Sequence, residues 1–309
     1  NKFHSTFIDS IQRYVHKGRI HSEINQLRSD QGGTVSGRLS YSNPNLQQIP
    51  ARNKEYGNKI RSLFLPEEGK QWGSFDYSQQ EPRLVAHYAA STNEEFTGAE
   101  EFIKAYESDE ADFHQIVADM AGISRTNAKT INLGLFYGMG KAKLARELGI
   151  SKDAAENLLS KYHTRVPFVK RLAESVMNSA SKFGFIRTVK GRKCRFNMWE
   201  PATFGMNKAM KYEEAKAVYG NNIRRAYTYK ALNRLIQGSA ADQTKQAMIN
   251  CYKKGFQPLL QIHDELCFSI NEENDIIGIK KEMENAIEGL KVPFKTDVAL
   301  GSSWGNAKE

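Results

Sequence analysis

Asp76 opens the run Asp76-Tyr77-Ser78-Gln79-Gln80-Glu81-Pro82-Arg83, and a second acidic run, Gln261-Ile262-His263-Asp264-Glu265, lies far downstream. Between them Arg125, Lys129, Leu133 and Tyr137 recur every fourth residue. Phosphoryl transfer to a sugar hydroxyl needs the attacking oxygen deprotonated and the charge of the leaving phosphates offset. Two Mg²⁺ ions roughly 4 Å apart meet both demands, and hard cations take carboxylate oxygens. Asp76 and Asp264 are therefore the candidate ligands for two Mg²⁺ ions, with Glu265 as an adjunct. Either acidic run alone is as well explained by an Asp that caps a helix or turns a hairpin. The two together with the basic stripe point to a two-metal site acting on a nucleotide.

On one helix the four-residue spacing forms a slowly drifting stripe roughly 18 Å long, about the length of a nucleotide. Arg125 and Lys129 fall toward the N-terminus, where the helix dipole and free N–H groups favour phosphate, and Leu133 and Tyr137 fall where a base could stack. Lys129 is thus a candidate both for binding the triphosphate and for catalysis, and His114 is a candidate extra donor. Gly134 and Gly138 interleave the stripe, which suggests close approach of another body there.

These residues must be held by particular elements. A short strand over Gln71–Phe75 is expected to deliver Asp76 at its end, followed by a helix over Gln79–Ala90. Apolar spacing predicts mostly helix from Glu100 to Ser181, with Ser124 as the N-cap of the basic helix, and a further helix over Lys230–Lys253. Pro258–Ile270 alternates as a half-buried hairpin would, with Leu260, Ile262, Leu266 and Phe268 on one side and His263-Asp264-Glu265 at its turn. The N-terminal Phe3–Lys17 reads as helical, and the Gly- and Asn-Pro-rich stretch from Asp30 to Asn45 as loop.

Composition narrows the classes. Hydrophobic content of 40% and charged content of 26% over 309 residues are ordinary for a globular chain. No apolar run approaches the ~20 residues of a membrane span. The excess of 44 Lys+Arg over 35 Asp+Glu, net +9, favours a polyanionic partner. Cys194, Cys251 and Cys267 are widely spaced, which fits a reducing compartment, the cytoplasm of a bacterial or virus-infected cell or else an organelle, rather than a disulfide framework or a zinc site. The chain opens on Asn1 with no signal-type segment and reads as a piece of something longer.

On the Asp-Tyr-Ser-Gln-x-Glu-x-Arg run at Asp76–Arg83, the Arg-x3-Lys-x7-Tyr-Gly run at Arg125–Gly138 and the His-Asp-Glu run at His263–Glu265, the chain resembles the bacterial DNA polymerase I family, the family A DNA polymerases. Gly37-Arg38-Leu39-Ser40, Asn43-Pro44-Asn45-Leu46-Gln47 and Ile49-Pro50 add to the resemblance, which covers nearly the whole chain from about Thr34. It implies an α+β right-hand polymerase fold, an antiparallel-sheet palm with a helical fingers insert and the thumb largely absent. Residues 1–90 would hold a thumb remnant and the first part of the palm, 91–232 the fingers, and 233–309 the rest of the palm. With little thumb to grip duplex DNA, weak primer-template binding and distributive extension are expected.

The same resemblance implies template-directed DNA synthesis from dNTPs on a DNA primer-template. Gln79 and Glu81 would border the nucleotide, Glu81 as the gate that excludes a ribose 2′-hydroxyl. Arg38, Asn45, Gln47, Arg52, Asn233, Gln237 and His263 would contact the primer-template, largely in the minor groove, where acceptors are similar for all base pairs. Three departures stand out: Leu133 where the family more often has Phe or Tyr, Gln80 and Pro82 in place of aliphatic residues, and Tyr229 where it usually has Arg. An RNA or reverse-transcribing polymerase, or a catalytically silent DNA-binding module, are the alternatives, and Glu81 and the retained aspartates speak against them.

Overall fold

In the computed structural model, residues 4–29, 32–50, 54–91, 99–107, 112–136, 139–203 and 208–308 are described. They form two compact units, Asn1–Gln80 with Ala240–Gly289 and Phe294–Glu309, and Glu81–Ser239 with Leu290–Pro293.

The first unit is built on four antiparallel strands: β1 (Gln71–Tyr77), β2 (Leu260–Ile262), β3 (Glu265–Ile270) and β4 (Thr296–Gly301), in the spatial order β2-β3-β1-β4. β1 and β3 are central and largely buried on both faces, polar Ser74 and Glu265 included. On one face Phe75 meets Phe268 edge-on at 5.5 Å, and the Tyr77 hydroxyl donates to the Met283 carbonyl at 2.6 Å. On the other, Trp72 stacks on Trp304 in a core with Tyr41, Leu46, Ile60, Leu260 and Cys267.

Three expectations need correction. Within the stretch from Asp30 to Asn45 that was expected as loop, Ser40–Ser42 forms a strand paired antiparallel with Glu23–Asn25. The N-terminal helix is shorter than Phe3–Lys17: helical turns run only from His4 to Gln12, and Val15–His16 then pairs with Arg19–Ile20. Lys17 and Gly18, both at positive φ, make the turn, so a β-branched pair flanking a Gly-containing turn prevails over helix propensity. In the β2–β3 hairpin, Leu260 lies opposite Cys267 and Ile262 opposite Glu265. Leu260 and Ile262 therefore share a face with Glu265 and Cys267, and not with Leu266 and Phe268, because a two-residue turn pairs even with odd positions.

The second unit is helical. Its elements include α1 (Gln80–Ser91, whose first residue belongs to the sheet unit), α2 (Phe113–Ala121), α3 (Arg125–Phe136), α4 (Lys152–Arg165), α5 (Pro167–Phe183) and the start of α6 (Ala231–Lys253). Ser124 caps α3 through a 3.2 Å bond from the Asn127 N–H, as its residue type predicts. Ala128, Ile131 and Asn132, spaced i, i+3, i+4, are fully buried, while Arg125 and Lys129, which flank that stripe on the helix, are exposed. A Cβ on Gly134 would collide with the Met139 side chain, so the close approach inferred there comes from this chain itself. Three-residue strands, Phe185–Arg187 with Lys193–Arg195 and Trp199–Pro201 with Ile223–Arg225, complete the unit's described sheet structure.

The unusual Gln80 has an explanation within the sheet unit. Its buried amide donates to Gln243 Oε1 at 3.0 Å and reaches Thr244 Oγ1 and the Ala240 carbonyl on α6. Gln80→Leu should therefore cost about 1–3 kcal/mol by orphaning the Gln243 oxygen. The double variant Gln80→Leu/Gln243→Leu should recover most of that loss in urea unfolding, and a double variant no more stable than the single would refute the account.

Candidate active site

The sheet brings the two acidic runs together. Asp76, the penultimate residue of β1, lies directly opposite Glu265 of β3, and directly opposite Asp297 of β4 on its other side. Directly paired residues project to the same face of a sheet, so Asp76, Glu265 and Asp297 share one. Asp264 precedes Glu265 in the two-residue turn, and its carbonyl accepts the Tyr77 N–H at 3.4 Å. His263, the other turn residue, sits at φ 56°, a left-handed conformation for which His, Asn and Asp are the most used non-glycine types. Gln79 makes the turn after β1, also left-handed at φ 54°. Glu81 follows in the first turn of α1.

Glu265 is only 7% exposed; it accepts from the Cys267 thiol at 3.4 Å and shares its surroundings with Arg61, whose guanidinium lies over the Trp304 ring. It is thus held from behind, an arrangement suited to an adjunct carboxylate.

A polar string runs beside the turn. Asn45 caps the short 3₁₀ helix Leu46–Gln48 by accepting the Gln47 N–H, Gln47 Nε2 donates to Gln261 Oε1 at 3.3 Å, and Gln261 Nε2 donates to the His263 carbonyl at 2.6 Å. Arg38 and His263 line one small cavity with Gln261, Thr244 and Lys245. Partial burial, then the Arg38 charge, lower the pKa of His263. Four residues assigned to primer-template contact, Arg38, Asn45, Gln47 and His263, are therefore assembled in the sheet unit. Gln261, which links them, was not singled out from sequence; its place in the strand before His263 was the available signal.

In the helical unit, Arg125 stands at the start of α3 and Lys129 one turn on, exposed. Arg125 is bound to Asp112, Nε–Oδ2 2.7 Å and Nη2–Oδ2 2.6 Å. Asp112 is the N-cap of α2, its Oδ1 accepting the N–H groups of His114 at 2.9 Å and Gln115 at 3.2 Å. Partial burial alone would raise its pKa; the Arg125 hydrogen bond and charge and the two N–H donors outweigh that and hold it below the usual carboxylate range. Asp112 too escaped the sequence reading, which expected mostly helix from Glu100 to Ser181 and no helix start at Phe113.

His114 is buried, 7% exposed, and joined at Nδ1 to Asn132 Nδ2 at 3.1 Å; Asn132 Oδ1 accepts the Tyr162 hydroxyl at 2.6 Å. With the amide oriented so that its Oδ1 accepts the tyrosine hydroxyl, its NH₂ donates to His114 Nδ1 and the imidazole proton is on Nε2. Burial lowers the His114 pKa to about 4, with Lys129 and Arg125 adding to the effect against Asp112. A folded pKa below the unfolded 6.5 means that the stabilisation is complete above pH 6.5 and is lost as pH falls toward about 4. The Tm of the protein should drop over this interval, and His114→Gln should drop less; equal slopes would contradict the assignment.

The Leu133 backbone continues α3, whereas Tyr137, like Arg52, lies outside the described residues. Asn233 and Gln237 lie one turn apart on α6, both half-buried. Tyr229 is 56% exposed, and the Lys230 ammonium lies 5.5 Å from its ring centroid.

A family model described as DNA polymerase family A matches residues 1–306. The chain belongs to DNA polymerase family A. It is 36% identical over 99% of its length to a DNA-directed DNA polymerase of Pseudomonas phage M6, covering 50% of that protein. It is also 32% identical to the thermostable DNA polymerase I of Thermus aquaticus, covering 100% of this chain and 35% of that one. Among solved structures, the POL domain of Pol1 from M. smegmatis, in complex with DNA primer-template and dNTP, matches with TM-score 0.77 and 32% identity over 97% of this chain and 51% of that one. The chain spans about half the length of the phage relatives it matches. The α+β polymerase fold expected from the sequence is the one this family A chain has.

In this family A chain the donor set suits magnesium. Among the described residues no group of three or more His, Cys, Asp or Glu could by itself hold a metal ion. Mg²⁺ is usually held by one or two carboxylates, with substrate phosphates and water completing an octahedron. Asp76 and Asp264, at the ends of adjacent strands, match that requirement. No described helix is long and apolar enough to cross a membrane, and all three cysteines are free and buried.

Proposed function

We propose that the protein is a template-directed DNA polymerase that extends the 3′-hydroxyl of a DNA primer with dNTPs. The observation that carries this reading is the β1–β3 register, which pairs Asp76 with Glu265 and so brings the turn that holds Asp264 to the end of β1, although the two aspartates are far apart in sequence. Asp76 and Asp264 would hold two Mg²⁺ ions, which when bound favour deprotonation of the 3′-hydroxyl and offset the charge of the departing pyrophosphate. The 3′-oxygen then bonds to the α-phosphorus as the bond from that phosphorus to the pyrophosphate oxygen breaks. Glu265, buried behind the turn, steadies the acidic pair.

Arg125, Lys129 and the Nε2–H of His114 are assigned to the triphosphate, with Lys129 also offsetting charge as the bond breaks. Leu133 and Tyr137 are assigned to the sugar and base, and Gln79 and Glu81 to the nucleotide, with Glu81 excluding a 2′-hydroxyl. Arg38, Asn45, Gln47, Arg52, Asn233, Gln237 and His263 are assigned to the primer-template. The sheet unit takes the role of palm and the helical unit that of fingers. Three buried free cysteines support a reducing, cytoplasmic setting.

Extension of a labelled primer on a DNA template with Mg²⁺, comparing dNTPs with NTPs, tests the substrate class. Extension with dNTPs alone is expected; equal use of NTPs would move the protein to the RNA polymerases.

A further inference from the structure

We propose that Asp112 is the positioning residue for Arg125, dividing its two carboxylate oxygens between a helix cap and the guanidinium so that the arginine presents a fixed fork to the nucleotide triphosphate. This rests on the polymerase reading above and adds to it a residue outside the sequence motifs. Oδ1 takes the N–H groups of His114 and Gln115, while Oδ2 takes both Nε and Nη2 of Arg125. Only a carboxylate can do both, because Asn offers one acceptor oxygen and Ser a single hydroxyl. The contacts to Oδ2 occupy the Nε/Nη2 edge of the guanidinium. Both hydrogens of Nη1 and the second of Nη2 remain, a geometry that matches a phosphate bidentately.

Stability does not account for the pair. The Arg125 and Asp112 side chains are 51% and 30% exposed, and exposed ion pairs contribute little. Electrostatics alone also speaks against it, since an anion beside a triphosphate site repels the ligand. What the pair supplies is orientation: Asp112 is anchored by the cap, His114 leads from that cap into Asn132, and Asn132 lies on the same helix as Arg125. The arginine fork and the His114 Nε2–H are thus referred to a common frame.

The test compares Asp112→Asn and Asp112→Ser, both good N-caps, in the wild-type and Arg125→Ala backgrounds. It reads Tm, dATP affinity by titration calorimetry, and KM and kcat for single-nucleotide incorporation. Tm should change little, while the dATP Kd and the KM rise on the order of tenfold, as for loss of an orienting contact, with kcat less affected. In the Arg125→Ala background neither substitution should add a further loss. Unchanged or tighter dATP binding by Asp112→Asn would show that the carboxylate only competes for the arginine and would overturn the proposal. So would an equal loss in the Arg125→Ala background, or no dATP binding by the wild type. Weakened dATP binding in a protein that never extends primers would instead uphold the positioning role and overturn the polymerase reading.

Discussion

Asp264→Ala should reduce primer extension about a thousandfold, because losing a metal ligand removes several kcal/mol of transition-state stabilisation at ~1.4 kcal/mol per tenfold. The fold should hardly respond. Asp264 lies in a turn, and its main-chain carbonyl accepts the Tyr77 N–H of β1, a contact that alanine keeps. Unfolding free energy should therefore stay within about 0.5 kcal/mol of the parent. Retention of a tenth or more of the rate would remove Asp264 from the catalytic centre, and a collapse of stability would make any rate loss uninformative about chemistry. Measuring urea unfolding beside rapid-quench incorporation separates the two.

Arg83→Ala should produce the opposite pattern, a large loss of stability from a residue of the other acidic run, Asp76–Arg83. Arg83 is 3% exposed; its Nη1 donates to the Pro293 carbonyl at 2.6 Å, and its guanidinium lies 4.4 Å from the centroid of the buried Tyr106 ring. Truncation leaves both a cavity and an orphaned carbonyl, together roughly 3–5 kcal/mol. Arg83→Lys keeps the charge but not the flat stack, and should cost less, about 1–3 kcal/mol. Urea unfolding of the two variants checks the order. Alanine and lysine variants as stable as the parent would show that the buried guanidinium carries no structural load.

The elements that bear chemistry were legible because each announces itself locally. The strand before Asp76, the Ser124 cap with its basic helix, and the hairpin at His263-Asp264 follow from side-chain period and turn chemistry. Less legible was everything set by pairing across the chain. The face shared by Leu260 and Glu265 depends on the parity of the turn, which alternation along one strand does not contain. The N-terminal hairpin turns on Lys17-Gly18, a short-range signal obscured by a helix-prone stretch before it. Arg83 and Gln80 read as parts of a motif, but their partners, Pro293, Tyr106 and Gln243, are distant in sequence. Asp112 illustrates the same limit: its cap is local, whereas its second oxygen serves an arginine thirteen residues on.

The central claim is that the acidic pair on one sheet serves a nucleotide chosen by a template. Its most direct test is single-nucleotide incorporation on four DNA templates that differ only in the base opposite the incoming dNTP. Each template should admit its complementary dNTP and reject the other three. The same dNTP added on all four, or none added by protein that binds the primer-template, would contradict the account.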